Sequence, residues 1–216
     1  MDMNFRTDLV EAGKRMLHSG LTVETWGNLS LRDPSSGLVY LTPSAMPYDT
    51  LTEDDIVVMR LDGTVAEGHR KPTVEAGMHL GILRARPEIN AVIHTHPLYS
   101  QVFAVLRQPI PPVIDEAAQA LGGTVYPAEY ALPGTPELAE NVRRALGGGS
   151  ACLLANHGAV CVGRSMEQAF HVCTVLEMTA RIYQMALAVG KPCVLPEDLV
   201  AFMKDFAENH YGQDKD

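Results

Sequence analysis

Residues 91–97 read AVIHTHP, and the two histidines one residue apart, His94 and His96, have the spacing of metal ligands. Residues i and i+2 of a strand point to one face, so both imidazoles can grip a single cation through neutral nitrogens. The same pair also suits two imidazoles that merely hydrogen-bond near a core. Two further groups bear on the choice. His157 follows the apolar run CLLAN and precedes Gly158, where a sheet edge delivers side chains into a cleft. Glu75 falls in the first turn of a helix expected from Thr73, where a carboxylate complements the helix dipole whether or not it binds anything. Three histidines and one carboxylate make a four-ligand set for zinc or a similar divalent ion. If the carboxylate leaves the ion when substrate arrives, coordination positions open and the freed oxygens serve as a base. His79, one helical turn after Glu75, is a fifth candidate, better suited to a supporting or packing place.

These side chains need a scaffold. The 216-residue chain is long enough to bury one full core, and no linker rich in Gly, Pro and Ser divides it, so residues 1–216 are read as a single domain. Leu9, Val10, Gly13, Met16 and Leu17 recur at helical intervals over residues 6–19, and Gly20 closes the segment. Residues 26–32 and 37–42 alternate as strands about DPSSG, and DIVVMRLDGTVAEG reads as a hairpin turning at Asp62-Gly63. A helix over 73–86 is stopped by Pro87 and followed by a buried strand over 90–95. Residues 98–106 read as helix, PIPP as an extended link, and 135–146 as a helix behind the cap pair Thr135-Pro136. ACLLAN and AVCVG are strands, a long helix runs from Ser165 to about Val189, and a last helix lies near 197–209. Several strand pairs are joined as hairpins. The expected fold is therefore α/β with helices covering a mixed, largely antiparallel sheet, not a doubly wound parallel one.

Bulk composition excludes several functions. A formal net charge of −9 and a pI near 5.3 argue against a nucleic-acid partner, and an anionic substrate must be held by a local device. The N-terminus lacks the apolar core of a signal peptide, and no run of 18 or more apolar residues appears, so no membrane partner is expected. Cys152, Cys161, Cys173 and Cys193 lack C-x-x-C spacing and read as free thiols in a reducing cytoplasm. The acceptor pattern at Asn28 is set aside for want of an export signal, and the H-E-x-x-H helix of zinc hydrolases is missing.

TWGNLS (25–30), LTPSAMPYDTLT (41–52), KPTVE (71–75), HTHP (94–97) and LLANHG (153–158) occur in the order and spacing of the class II aldolase/adducin family, and the chain resembles its fuculose-phosphate aldolase branch from Leu9 to Tyr211. The resemblance implies a three-layer α/β/α sandwich around a predominantly antiparallel sheet, and a homotetramer with active sites between subunits. It implies one divalent ion per subunit, zinc before manganese or cobalt, on Glu75, His94, His96 and His157. It further implies a metal-dependent aldehyde-lyase of carbohydrate metabolism. Such an enzyme cleaves a hydroxy-ketose, here a ketose 1-phosphate, to a dihydroxyacetone-type fragment and an aldehyde through a metal-stabilised enediolate, with Glu75 shuttling the proton.

The family's phosphate pocket maps onto Gly27, Asn28, Ser44, Ala45, Thr73 and Val74. Ala45 replaces a glycine typical of phosphate-using relatives and Val74 a serine, while Trp26 is bulkier than the residue usual before Gly27. An unphosphorylated substrate therefore also comes into view. The tyrosine that serves as acid in fuculose-phosphate aldolases is missing from PIPPVIDEAAQALGG, where Asp115 or Glu116 takes its position, and Tyr211 matches a second family tyrosine that closes the site. On the same scaffold, relatives decarboxylate 3-oxo acids or their phosphates, or act as epimerases and dehydratases. Adducin-like modules, which do not catalyse, lose the ligands that this chain retains.

Overall fold

The computed structural model describes residues 4–211 and residue 213. Among these residues eight strands form one sheet: β1 (Asn28–Arg32), β2 (Val39–Leu41), β3 (Val57–Met59), β4 (Val65–Glu67), β5 (Ala91–Thr95), β6 (Pro127–Ala128), β7 (Ala151–Leu154) and β8 (Gly158–Gly163). Their order is β4-β3-β2-β1-β5-β8-β7-β6. Every pairing is antiparallel except β6 with β7. The mixed, mainly antiparallel sheet expected from the hairpins is thus present.

Among the described residues seven α-helices accompany the sheet: α1 (Phe5–His18), α2 (Ala76–Ala85), α3 (Leu98–Leu106), α4 (Asp115–Leu121), α5 (Pro136–Leu146), α6 (Met166–Val189) and α7 (Glu197–Asn209). The core falls into two parts, one on each face of the sheet. Leu29, Leu31, Ile93, Leu153 and Cys161 pack with Leu9, Met16, Phe103 and Phe170 of α1, α3 and α6. Val92, Leu154, Val160 and Val162 pack with Leu80, Leu83, Leu138 and Val142 of α2 and α5. Strand alternation explains the division: Leu29 and Leu31 face α1, which sends Asn28 and Ser30 to the α2 side. In β5 the same rule sends Val92 and His94 to that side.

Local signals account for the helix ends. Thr135 accepts a hydrogen bond from Leu138 N ahead of Pro136, and Ser165 caps α6 through Gln168 N. The expected start of the 73–86 helix is corrected. Thr73 N is tied to Thr42 O at 3.2 Å and Pro72 bridges to Pro43, so the chain stays extended and α2 begins only at Ala76, with Glu75 as its N-cap. Between PIPP and α5, where the sequence assigned no element, lie α4 and β6, whose short apolar spacing did not announce them. No uninterrupted run of 18 apolar residues occurs, but α6 is by length and mean composition apolar enough to cross a membrane. Its Phe170, Val172, Cys173 and Leu176 are core residues packed on the sheet, while Ile182, Met185, Leu187 and Val189 toward its C-terminus are exposed. Cys152, Cys161 and Cys173 are buried and Cys193 is exposed, all as free thiols.

Candidate active site

His94, His96 and His157 meet at one end of the sheet. His94 lies in β5 and is fully buried. His96, just past the strand end, is held by its N–H to Leu21 O at 2.9 Å. His157, expected at the end of a strand, instead sits in the turn between β7 and β8, because Asn156 adopts a left-handed φ of 56°. The turn is braced from α3, where Gln101 donates to His157 O at 2.7 Å. Ring centroids of the three imidazoles are 4.7 to 4.9 Å apart, and one nitrogen of each lies within 4.8 Å of the others. Gly158 makes this approach possible. A Cβ there would collide with Thr95 O and stand 3.3 Å from both the His94 and His96 rings.

Glu75 completes the group. Its Oε2 lies 3.3 Å from His94 Nε2, and its Oε1 lies 4.0 Å from His157 Nε2. It does not use its carboxylate to cap α2. Burial is the largest single influence on this acid and pushes its pKa up. His94, the Asn28 hydrogen bond, His157 and His79 together outweigh it and hold the pKa below the ordinary value. Burial lowers His96 to about 3 and His157 to about 4, reinforced by neighbouring imidazole charge, so both are neutral at pH 7 as ligation requires.

The donor set fits a divalent cation. His94 Nδ1 donates to Ala159 O at 3.0 Å, which leaves a lone pair on Nε2, and that atom faces His96 Nε2 at 3.0 Å. Glu75 Oε1 is buried with no hydrogen-bond partner. A cation among these atoms would satisfy both the crowded nitrogens and the orphaned oxygen.

Behind the carboxylate lies a polar chain. Asn28 Nδ2 donates to Glu75 Oε2 at 2.9 Å, Asn28 Oδ1 is 2.6 Å from His79 Nε2, and His79 Nδ1 is 2.8 Å from Ser30 Oγ. His79 is therefore a supporting residue in this arrangement, with its pKa lowered to about 3 by burial first of all. Sequence reading placed Asn28 in the phosphate pocket and overlooked Ser30. The available signal was period-two alternation, which puts Asn28 and Ser30 on one face of β1.

The remaining pocket candidates gather beside this group. Ser44 N bonds to Lys71 O at 3.0 Å and Thr73 N to Thr42 O, which zips the loop of Ser44 and Ala45 to that of Thr73 and Val74. Ala45 takes a left-handed φ of 55°, a region that favours glycine, and Val74 is 66% exposed. Gly27 has φ 73°, and a Cβ there would stand 2.6 Å from His94 O. Buried Tyr48 holds that turn by donating to Gly27 O at 2.7 Å. Trp26 stacks on His96 from the outside.

Asp115 and Glu116 are exposed in the first turn of α4, not in a loop, because Ile114 ends the extended link. Tyr211 is exposed and its recorded contacts are with Phe206 of α7. Among the described residues none of the three has a hydrogen bond or ring contact with the histidines.

Comparison with known proteins gives a consistent answer. The family model described as Class II Aldolase and Adducin N-terminal domain matches residues 7–184. The chain is 40% identical over 208 residues to 5-deoxy-D-ribulose 1-phosphate aldolase of Bacillus thuringiensis serovar kurstaki, covering 96% of this chain and 97% of that protein. It is 37% identical to 5-methylthioribulose-1-phosphate/5-deoxyribulose-1-phosphate aldolase of Rhodospirillum rubrum, covering 89% and 86%. A solved structure of L-fuculose 1-phosphate aldolase superposes with a TM-score of 0.93 at 38% identity, covering 96% and 98%.

Proposed function

The chain belongs to the class II aldolase and adducin family, and from that membership we propose that it is a divalent-metal-dependent aldolase acting on a ketose 1-phosphate with a short, deoxygenated tail. The observation that carries the reading is the convergence of His94, His96 and His157 on Glu75, with one buried carboxylate oxygen left over. The tail is taken from the two pentulose-phosphate aldolases it resembles at 40% and 37% identity. One single-domain chain, 1–216, carries the machinery, with zinc as the ion proposed.

In this reading His94, His96, His157 and Glu75 hold the ion. A bound divalent ion supplies Lewis acidity toward the ketone oxygen and the hydroxyl beside it. The C3–C4 bond breaks, its electron pair stays with C3, and Glu75 delivers the proton that C3 takes up. The C4 hydroxyl loses its proton and becomes the aldehyde, so the products are dihydroxyacetone phosphate and a short aldehyde. Glu75 suits proton transfer because Oε2 stays on Asn28 while Oε1 is unengaged.

The phosphate would lie at the zipped loops. Ser44 N and Thr73 N are spent on each other's strands, which leaves the Ser44 and Thr73 hydroxyls and the N–H groups of Ala45 and Val74, beside Gly27 and Asn28. Such a nest receives an anion without a buried cation. Asp115 and Tyr211, exposed in one chain, are proposed to serve a neighbouring copy's site as the group exchanging the C4 hydroxyl proton and as its cover. A homotetramer would bring them there.

The test supplies the zinc-loaded protein with 5-deoxyribulose 1-phosphate, fuculose 1-phosphate, their unphosphorylated forms and a 3-oxo acid. Aldehyde and carbon dioxide are measured separately. Aldehyde release from a phosphorylated ketose is expected. Carbon dioxide release without any aldehyde would replace the aldolase reading by decarboxylation.

A further inference from the structure

The polar chain behind Glu75 can run in only one direction. Glu75 accepts at Oε2, so the Asn28 amide must turn its nitrogen toward the carboxylate, as it does at 2.9 Å. The amide oxygen then faces His79 Nε2 at 2.6 Å and can only accept, which puts the imidazole hydrogen on Nε2. A neutral imidazole with its hydrogen on Nε2 has a lone pair on Nδ1, and the Ser30 hydroxyl at 2.8 Å must donate to it. Ser30 and His79 are wholly buried, and Asn28 and Glu75 nearly so, which leaves little room for water to supply a missing partner. A flipped Asn28 amide would bring its oxygen against the Glu75 carboxylate, two acceptors in contact.

We propose that His79 and Ser30 are positioning residues for Glu75. Ser30 selects the His79 tautomer, His79 selects the orientation of the Asn28 amide, and Asn28 keeps an N–H on Glu75 Oε2. The consequence is a division of labour within one carboxylate: Oε2, 3.3 Å from His94 Nε2, is anchored by Asn28, and Oε1, 4.0 Å from His157 Nε2 and without a hydrogen bond, is the oxygen free to carry a proton. The three elements involved, β1, α2 and the Glu75 cap, are thereby locked in register around a proton-carrying group. A packing role alone would need only the volume of His79, not the chemistry of its two nitrogens.

The test reads the tautomer directly in zinc-loaded, histidine-15N-labelled protein by two-bond proton–nitrogen correlation, with His79 assigned by its loss in H79Q. A single Nε2–H tautomer is expected in the native protein. In S30A that exclusivity should be lost, and the Asn28 side-chain amide protons should exchange with water at least about ten-fold faster, as loss of a hydrogen bond to a charged partner implies. H79Q, which keeps an N–H donor at the far end of the side chain, should preserve the slow exchange that H79L abolishes. An Nδ1–H tautomer in the native protein, or unchanged Asn28 exchange in S30A, overturns the proposal. The kinetic consequence rests on reading Glu75 as the proton carrier: with zinc content unchanged, S30A should lose about ten-fold in kcat on 5-deoxyribulose 1-phosphate while KM moves little. A native protein inactive on that ketose would count against the substrate reading, and the tautomer measurement would still decide the role of His79.

Discussion

The indole of Trp26 stacks on the imidazole of His96, with ring centroids 5.9 Å apart, planes 27° from parallel, and 55% of the tryptophan exposed to solvent. Thr22 fixes it from behind by donating to Trp26 O at 2.8 Å. The left-handed turn at Gly27 then directs the chain into β1. An exposed aromatic at the outer face of a candidate metal ligand is positioned to sense whatever His96 holds.

Trp26 is the only tryptophan in the chain, so intrinsic fluorescence reports on this site alone. Titrating metal-free protein with zinc or cobalt should change the emission and saturate at about one equivalent per chain, the ratio a single tetrahedral site dictates. W26F should remove the signal and keep the stoichiometry. Bound metal with no change in emission would exclude His96 from the site.

Removing the imidazoles in and just past β5 should empty the ion site. Metal analysis should find about one divalent ion per chain in the native protein, and the double variant H94A/H96A is expected to lose it. Full occupancy in the double variant would sink the assignment. G158A should have a similar effect by geometry alone, since its Cβ collides with Thr95 O and crowds both rings. It should also lower stability by about 1–3 kcal/mol, the usual range for overpacking, as read from urea unfolding.

Ala45 holds a φ of 55° that costs a side-chain-bearing residue about 1–2 kcal/mol, partly offset by the greater freedom a glycine loses on folding. A45G should therefore stabilise the protein by up to about 1 kcal/mol. It should also tighten inorganic phosphate binding, measured by calorimetry, because the loop backbone can approach the anion more closely. Weaker phosphate binding in A45G would remove this loop from the anion site.

Acid should destabilise the metal-free protein through His79. Its pKa falls from 6.5 to about 3 in the fold, chiefly by burial, with Glu75 opposing and His94 adding to the shift. Between those values the unfolded chain binds the extra proton, so stability is whole above pH 6.5 and declines as pH falls toward 3. The slope is at most about 1.4 kcal/mol per pH unit for one group. Urea unfolding from pH 7 to pH 4 measures it, and H79L should reduce the slope by the share of one group, leaving what His96 and His157, lowered to about 3 and about 4, contribute in the same direction. Stability that rises on acidification would contradict the buried neutral state.

Much of this molecule is written in short-range sequence. Helix ends at Thr135-Pro136 and Ser165, the hairpin turn at Asp62-Gly63 and the alternation that sends His94 to one side of β5 all depend on residues a few positions apart. Those signals are local because capping, turn geometry and pleat each involve one or two turns of chain. The H-x-H pair was legible for the same reason, whereas Glu75 and His157 lie far from it in the chain and were assigned to the ligand set through what the family resemblance implies.

Tertiary structure alone decided how those groups are used. Glu75 moved from the first helical turn to the N-cap because Thr73 and Pro72 are held by Thr42 and Pro43, about thirty residues earlier in the chain. Asn28 turned to Glu75 across 47 residues and to His79 across 51. Ser30 has no chemical signature until α2 brings His79 against it. α4 and β6 are too short for their own periodicity to show, and they form because α6, α7 and β7 cover them. Hydrogen bonds between distant buried groups depend on which strands and helices meet, and that is set by the burial of both core clusters, not by any run of neighbouring residues.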